Sequence, residues 1–257
     1  MWFQISSYFK FLFGSSNQHG IHSPFVYDLI TKCFYDAKSY PEYKQIKNYR
    51  SQLLQNNTTL EIEDFGSGSR VFSSNKRPIK AIARNSGSTL KRSKLLFRLC
   101  RYFNFETGIE LGTSLGISSH AVALGAPKIK LTSIEGCPNI ASFTANNLKS
   151  NGISNVSILN DTFSRAIPKL NATTLDFVFF DGHHGKEATL QYFEALLPKA
   201  HNNTVFLFDD IRWSEDMFEA WQTISQHPEV TVSIDALKWG FVFFRREQPK
   251  QHFTIRV

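Results

Sequence analysis

The chain has 257 residues, 42% of them hydrophobic, and a formal net charge of +7. That is enough apolar material for the core of one α/β domain with an extension. No run approaches the ~18–20 apolar residues of a membrane span, and Cys33, Cys100 and Cys137 show neither CxxC nor metal-ligand spacing, so the chain reads as a cytoplasmic protein with reduced thiols.

In chain order, the first fourteen residues are strongly aromatic but have no basic leader and no small-residue cleavage site, which argues against a signal peptide. Trp2, Ile5, Phe9 and Leu12 recur at helical spacing and predict a short helix docked on the domain by that face. A helix lying in a membrane interface is the weaker reading, since Lys10 alone attracts anionic lipid poorly. Further helices are predicted near 23–35 and 41–55, a strand-like run over 60–65, and a Ser/Asn/Gly-rich loop over 66–89. His19 and His22 read as structural. A helix is predicted to begin after Gly87-Ser88, capped by Ser88 or Thr89, with Leu95, Leu96, Leu99 and Tyr102 turned inward. Between Arg70 and Lys94 every charged residue is basic, and this stretch carries the whole positive excess of the chain. It can steer an anionic partner; a solvated loop entering a helix is the plainer reading.

Beyond residue 90 strands and helices alternate. Strands are predicted at 108–111, 130–135, 156–159, 175–181, 204–209, 231–235 and 241–245, with helices near 115–125, 138–149, 163–170, 186–199 and 214–226. The runs at 176–180 and 205–208 are apolar throughout, as parallel strands covered on both faces are. The last two strands are separated by only 236–240, too short for a crossover helix, so they are predicted to pair antiparallel. The fold class is therefore α/β: a Rossmann-like, doubly wound, seven-stranded sheet, mostly parallel with an antiparallel last strand, plus an N-terminal helical extension. Residues 1–90 form the extension with its basic loop, packed on the core, and 91–257 the Rossmann-like domain.

The chemistry concentrates at the strand ends, where open α/β sheets bind ligands. Glu110-Leu111-Gly112-Thr113-Ser114-Leu115-Gly116 is a Gly-rich turn between the first strand and its helix. A dinucleotide fingerprint would read GxGxxG here. Without its phosphate-cradling middle glycine, the turn suits a nucleoside that carries no pyrophosphate, and it argues against a nicotinamide-dependent dehydrogenase. Glu135, ending the second strand, is placed to accept hydrogen bonds from ribose hydroxyls, and Asp161, after the third, to receive an adenine amino group. Asp181 ends one later strand and Asp209-Asp210 the next, so three carboxylates converge on one crevice. They repel one another unless a cation neutralises them or a proton is taken up. All-oxygen ligands favour Mg²⁺, with Mn²⁺ or Ca²⁺ as competitors.

Over roughly residues 90–257 the chain resembles the class I S-adenosylmethionine-dependent methyltransferases, through its E-x-G-x-x-x-G motif, the acid ending strand two and the antiparallel final strand. The resemblance implies that Glu110, Gly112, Ser114 and Gly116 surround the methionine part of S-adenosylmethionine, with Asp181 bordering the sulfonium. Glu135 would bind the ribose, and Asp161 with Thr162 would lie near adenine. The segments 176–181 and 208–214 resemble those of the divalent-metal-dependent small-molecule O-methyltransferases. Catechol and caffeoyl-CoA enzymes carry Asp on the first strand and Asp-Asn on the second; macrocin-type sugar methyltransferases carry Asp-Asp, as here. Asp181, Asp209 and Asp210 are the implied metal ligands. Where the catechol pattern has a basic lysine, this chain has His184 beside His183, and histidine as a residue type can take a hydroxyl proton near neutral pH.

The expected activity is methylation of a small-molecule hydroxyl with divalent-metal assistance, with a homodimer as one assembly compatible with the sequence. The rivals are a nucleic-acid methyltransferase using the basic 70–94 stretch, and a relative that binds the cofactor without turnover. Against the first, Phe180-Asp181-Gly182-His183-His184 stands where amino-methylating nucleic-acid enzymes have Asn/Asp-Pro-Pro-Tyr, and no RNA-binding signature is present.

Overall fold

The apolar runs that read as strands lie side by side in one sheet. A computed structural model describes residues 2–63 and 75–257. The chain opens with α1 (Trp2–Gly14), α2 (Pro24–Leu29), which continues into a wider π-type turn over Ile30–Phe34, and α3 (Glu42–Gln55). Strands β1 (Thr59–Glu61) and β2 (Lys76–Pro78) pair antiparallel, and β2 leads directly into α4 (Ile79–Asn85). Helix α5 (Leu90–Phe103) follows. Its cap is Thr89, whose side chain accepts from the Arg92 N–H, and it stops at Asn104 in the left-handed conformation.

The alternating part runs β3 (Thr107–Leu111), α6 (Ile117–Gly125), β4 (Lys130–Glu135), α7 (Pro138–Ser150), β5 (Val156–Asn160), α8 (Phe163–Ala166), β6 (Leu175–Phe180), α9 (Lys186–Leu196), β7 (Ala200–Phe208) and α10 (Glu215–Gln226). It closes with β8 (Val232–Ala236), β9 (Trp239–Phe243) and β10 (Gln251–Thr254). The sheet order is β10-β8-β9-β7-β6-β3-β4-β5. Strands β5, β4, β3, β6 and β7 are parallel, and β9 is antiparallel to both β7 and β8. The chain order switches between β3 and β6, and the crevice of such a sheet opens beyond the strand ends there.

Three sequence expectations need correction. The main sheet has eight strands, not seven, because β10 adds an edge strand parallel to β8. Its residues are short and mostly polar, so they carry no strand periodicity of their own. Within the stretch predicted as loop over 66–89, β2 and α4 are regular. α4 forms because Ile79, Ile82 and Ala83 bury against α3 and its surroundings. The Gly66–Ser69 part of that loop, and Asp64 and Phe65 of the predicted strand, lie outside the described residues.

The third correction concerns α1. The expected docking face of Trp2, Ile5 and Phe9 is exposed; Ser7 and Phe11 are the buried positions, and Leu12 is half-buried. Polar anchors choose the face. Arg212, paired with buried Asp235, hydrogen-bonds Ser7, and the Gln4 amide donates to the Trp213 carbonyl at 2.9 Å. The helix is apolar nearly all round, so spacing alone does not single out one side.

Two apolar clusters pack the faces of the sheet. Val26, Leu29, Ile30 and Phe34 from the N-terminal helices share one cluster with Leu96, Phe97, Phe177 and Phe241. Phe180, Phe193, Phe206 and Trp221 belong to the other. Leu95, Leu96 and Leu99 of α5 are buried as expected, whereas Tyr102 is half-buried. All three cysteines are buried free thiols, and burial pushes Cys33 up to about 12 despite the nearby Arg98. Among the described residues no helix is long and apolar enough to cross a membrane.

Candidate active site

The Gly-rich turn is shaped by two backbone positions that reject side chains. Gly112 has φ +105°, and a Cβ there would collide with the Asp181 carbonyl oxygen. Gly116, at φ +71°, starts α6, and a Cβ would press on the Thr144 methyl at 2.7 Å. The Gly112 and Thr113 N–H groups both donate to the Ile134 carbonyl, at 3.0 and 3.3 Å. From outside, Thr144 Oγ1 and the Tyr49 hydroxyl donate to the carbonyls of Ser114 and Leu115, at 2.7 and 2.9 Å. The turn is thus clamped between β4, α7 and α3.

Glu135 ends β4 facing that turn. One carboxylate oxygen accepts the Ser114 N–H at 2.9 Å and the other the Cys137 N–H at 3.0 Å. Backbone donors hold it at the edge of a cleft of about 410 Å³. The cleft brings together Gly112, Ser114, Glu135, Asp161, Thr162, Asp181 and His183 from the predicted set. Glu110, Gly116, His184, Asp209 and Asp210 do not line it.

Glu110 lies behind the turn, wholly buried. Its Oε2 accepts from the hydroxyls of Ser119 and of Ser133 (2.6 Å), while Oε1 has no partner. Burial holds its carboxyl above the usual range even though the serines pull it down. Asp161 is drawn the opposite way. What burial it has raises it, but the Thr162 N–H, Lys169 and Arg165 together bring it below the ordinary range. Its oxygens therefore already have donors, and Thr162 offers the cleft its backbone and hydroxyl instead.

Several lining residues carried no motif signal. Ile140 of α7 and Phe163 of α8 supply apolar walls, and Ile62, Arg77 and Ile82 reach the cleft from the β1–β2–α4 segment. That segment is tied down where α7 begins: the Glu61 carbonyl accepts from the Asn139 amide at 2.8 Å, and Cys137 Sγ accepts from the Glu63 N–H at 3.4 Å. The sequence places Phe163 next to the Asp161-Thr162 pair, the one clue to its role. The basic stretch does not form one surface. Arg77 lines the cleft, Lys94 lies over the Tyr43 ring at 4.7 Å, Lys91 and Arg92 face elsewhere, and Arg70 is outside the described residues.

Asp181 and Asp209 sit at the ends of adjacent strands. Burial is the main force raising Asp181 far above a normal carboxyl, followed by the charge of Asp209, so Asp181 holds the proton and donates to Asp209. Burial and Asp210 also raise Asp209, against the pull of Arg92. Arg92, at the start of α5, spans the second pair: Nη1 lies 3.3 Å from Asp209 Oδ2 and Nη2 3.4 Å from Asp210 Oδ1. Lys238 adds a contact to Asp210 at 3.5 Å. The cationic partner the carboxylates required is supplied by the protein. Among the described residues no three His, Cys, Asp or Glu side chains converge as metal ligands. The implied set of Asp181, Asp209 and Asp210 does not fit a divalent ion, because a guanidinium occupies the face of Asp209 and Asp210 that would bind one.

His183 has φ +65°, an uncommon conformation for a non-glycine residue, which turns it into the cleft. Its Nδ1 is buried without a hydrogen-bond partner, and its ring meets Tyr192 edge-on at 6.3 Å. His184, the counterpart of the catechol-type lysine, lies instead near enough to Asp209 for its charge to lower that carboxyl.

Residues 109–211 match the family model described as "Methyltransferase domain". Over that stretch the chain is similar to a methyltransferase domain. The fold, a mostly parallel Rossmann-like sheet with an antiparallel strand near one edge, is shared with solved methyltransferase structures. Similar solved structures include the Podospora anserina methyltransferase PaMTH1 bound to SAH, at 12% identity and a TM-score of 0.60, covering 88% of this chain and 97% of that one. The O-methyltransferase TomG from Streptomyces achromogenes, in complex with SAM, has 16% identity and a TM-score of 0.57, with 82% and 93% covered. A Bacillus cereus O-methyltransferase in complex with SAH has 14% identity and a TM-score of 0.53, with 82% and 94% covered. No curated protein matches the sequence.

Proposed function

We propose that this protein transfers a methyl group from S-adenosylmethionine to a hydroxyl of a small molecule. The observation that carries the reading is Glu135, locked by two backbone N–H groups at the edge of the cleft and opposite the Gly112 turn. A carboxylate held in this orientation beyond the end of the second strand of such a sheet is where a ribose diol would be received. A flat base would lie between Ile140 and Phe163, with Asp161-Thr162 at its edge. The turn at 112–116, braced from behind by Glu110, would pass close to the amino-acid end, and Asp181 would border the sulfonium.

Bound S-adenosylmethionine supplies a methyl group already activated on a sulfonium. The protein's task is then to align the acceptor oxygen and receive its proton. We assign that role to His183 rather than His184 because His183 lines the cleft: its imidazole takes the hydroxyl proton as the oxygen–carbon bond forms, while sulfur keeps the electrons of the broken bond. Protonated Asp181 adds no second negative charge beside Asp209. Divalent-metal assistance is not part of this reading, since two protein cations, Arg92 and Lys238, already face the Asp209-Asp210 pair.

Calorimetry tests the assignment directly. S-adenosylhomocysteine is expected to bind the full chain at micromolar affinity and NAD not to bind. Binding of NAD with none of S-adenosylhomocysteine would overturn it.

A further inference from the structure

Helix α1 is held to the domain by one side only. Phe11 and Ser7 are buried, Phe3 meets the Phe218 ring at 6.2 Å, and Gln4 and Ser7 make the polar contacts to the Trp213 carbonyl and Arg212. The opposite side is apolar and open to solvent. Trp2 is 84% exposed, Phe13 89%, Phe9 52%, Tyr8 45% and Ile5 43%. At about 3.6 residues per turn, Tyr8, Leu12, Ile5, Phe9, Trp2 and Phe13 follow one another around an arc of about 140°. They form one ridge along the helix. At roughly 150–250 Å² per aromatic side chain, the exposed fractions of the four rings amount to about 400–700 Å². The largest apolar patch of an ordinary monomer is ~300–600 Å², and patches of that size mark interaction sites.

The charges beside the ridge select its partner. α1 contains Lys10, at the border of the ridge, and no acid. Lys10 alone attracts anionic lipid poorly, but the fold adds cations that are distant in sequence. On the Tyr8–Leu12 flank lies a second cavity, of about 400 Å³, lined also by Lys91, Arg92, Lys238 and Arg256 and by no acidic side chain. Arg92 and Lys238 are shared with Asp209 and Asp210, and Lys91 donates to a terminal oxygen of Val257 at 3.0 Å. Arg256 donates to the Ser15 carbonyl at 3.3 Å, and neither it nor Lys10 has a carboxylate partner among the described residues. The other flank is balanced, with Lys10 and Arg212 beside Glu215 and Glu219. An antiparallel two-fold pairing of two ridges would set the basic flank of one copy against that of the other, which like charges oppose. An anionic bilayer satisfies the apolar ridge and the basic flank together.

We propose that α1 docks this protein on an anionic phospholipid membrane, lying in the interface with Trp2, Ile5, Phe9 and Phe13 inserted and Lys10 among the headgroups. Aromatic side chains suit that depth, and one short helix with a few basic residues gives reversible attachment. α1 rests on residues that follow β7, and the cavity beside it is closed by the β8–β9 turn. It therefore lies on the same strand-end edge of the sheet as the cleft, and docking brings that edge to the membrane surface. The proposal does not depend on the methyl-transfer reading.

Cosedimentation of the full chain with vesicles tests it, using pure phosphatidylcholine and an equimolar mixture with phosphatidylglycerol. Binding to the mixed vesicles is expected, about tenfold or more tighter than to phosphatidylcholine alone. Trp2→Ser combined with Phe13→Ser should weaken binding to the mixed vesicles by about tenfold or more. Lys10→Gln should weaken it by about fivefold, the share of one basic residue near an anionic surface. These positions are exposed, so urea midpoints should match that of the unmodified chain, which separates lost docking from lost folding. No binding of the unmodified chain to the mixed vesicles, equal binding to both compositions, or binding untouched in the double variant would overturn the proposal. A dimer in analytical ultracentrifugation that the double variant converts to monomer, without vesicle binding, would overturn it in favour of a second copy of the chain.

Discussion

Glu135 and the Asp209-Asp210 pair begin as the same sequence signal, an acid at the end of a strand, and the fold treats them differently. Glu135 is answered by two backbone N–H groups from its own neighbourhood, and its carboxylate stays at the edge of the cleft. Asp209 and Asp210 are answered by the side chain of Arg92, 117 and 118 residues away in sequence. Backbone donors fix the position of an acid, here at the edge of the cleft. The Arg92 guanidinium and the Lys238 ammonium together offset the charge of the pair and stand where a metal ion would otherwise approach. The first arrangement sets a carboxylate at the cleft edge; the second is an ion-pair cluster beside a second cavity.

The largest test of that contrast is Arg92→Met. Removing one partner of a largely buried pair leaves uncompensated carboxylates, and the expected loss is about 3–5 kcal/mol in urea unfolding. Adding Asp210→Asn should recover part of it. A loss below 1 kcal/mol in the single variant would mean that Arg92 does not neutralise the pair.

A pH experiment sharpens the comparison on the cleft side. His120, behind the turn, is buried, stacked on Tyr49 at 4.3 Å, and lowered to about 4 by burial. The unfolded chain binds that proton near pH 6.5, so stability from the neutral ring is complete above 6.5. It is lost as pH falls toward 4, by up to about 3 kcal/mol. Burial raises Glu110, whose effect has the opposite sign: favourable at low pH and lost as pH rises past its unfolded value. The difference in pH slope between the unmodified chain and His120→Gln isolates the histidine. Parallel slopes between pH 4 and 6.5 would show that His120 takes up its proton equally in the folded and unfolded chains, so that burial does not lower it.

Glu135→Ala is the next smaller effect. S-adenosylhomocysteine affinity should fall by about 1.5–3 kcal/mol, the range for hydrogen bonds to a charged group, with little change in unfolding. The reverse outcome, destabilisation without loss of affinity, would make Glu135 structural. The smallest effect expected is that of EDTA, which should leave methyl transfer unchanged. Loss of turnover restored by Mg²⁺ would show that a cation displaces Arg92 in the working enzyme.

Much of the fold was legible because its signals are local. The central strands are apolar runs, the helices between them have their own spacing, and the antiparallel pairing of β8 with β9 follows from a connection too short for a helix. The Gly112 turn and Glu135 were readable for the same reason, since the turn demands glycine and the acid follows the next strand. Elements that owe their form to distant partners were not. β10 is a strand because β8 offers a free edge, and α1 turns Ser7 and Phe11 inward because Arg212 and Trp213 lie beneath it.

By itself, then, the sequence determined the α/β alternation, the Gly-rich turn at 112–116 and the positions of the acids, all set by residues within one turn or one strand of each other. Only the tertiary structure decided what each acid does. Whether a carboxylate is held by backbone donors, protonated or ion-paired depends on burial and on charges brought in from far along the chain. Arg92 opposite Asp209, the proton between Asp209 and Asp181, and His183 turned into the cleft in place of His184 are all consequences of packing.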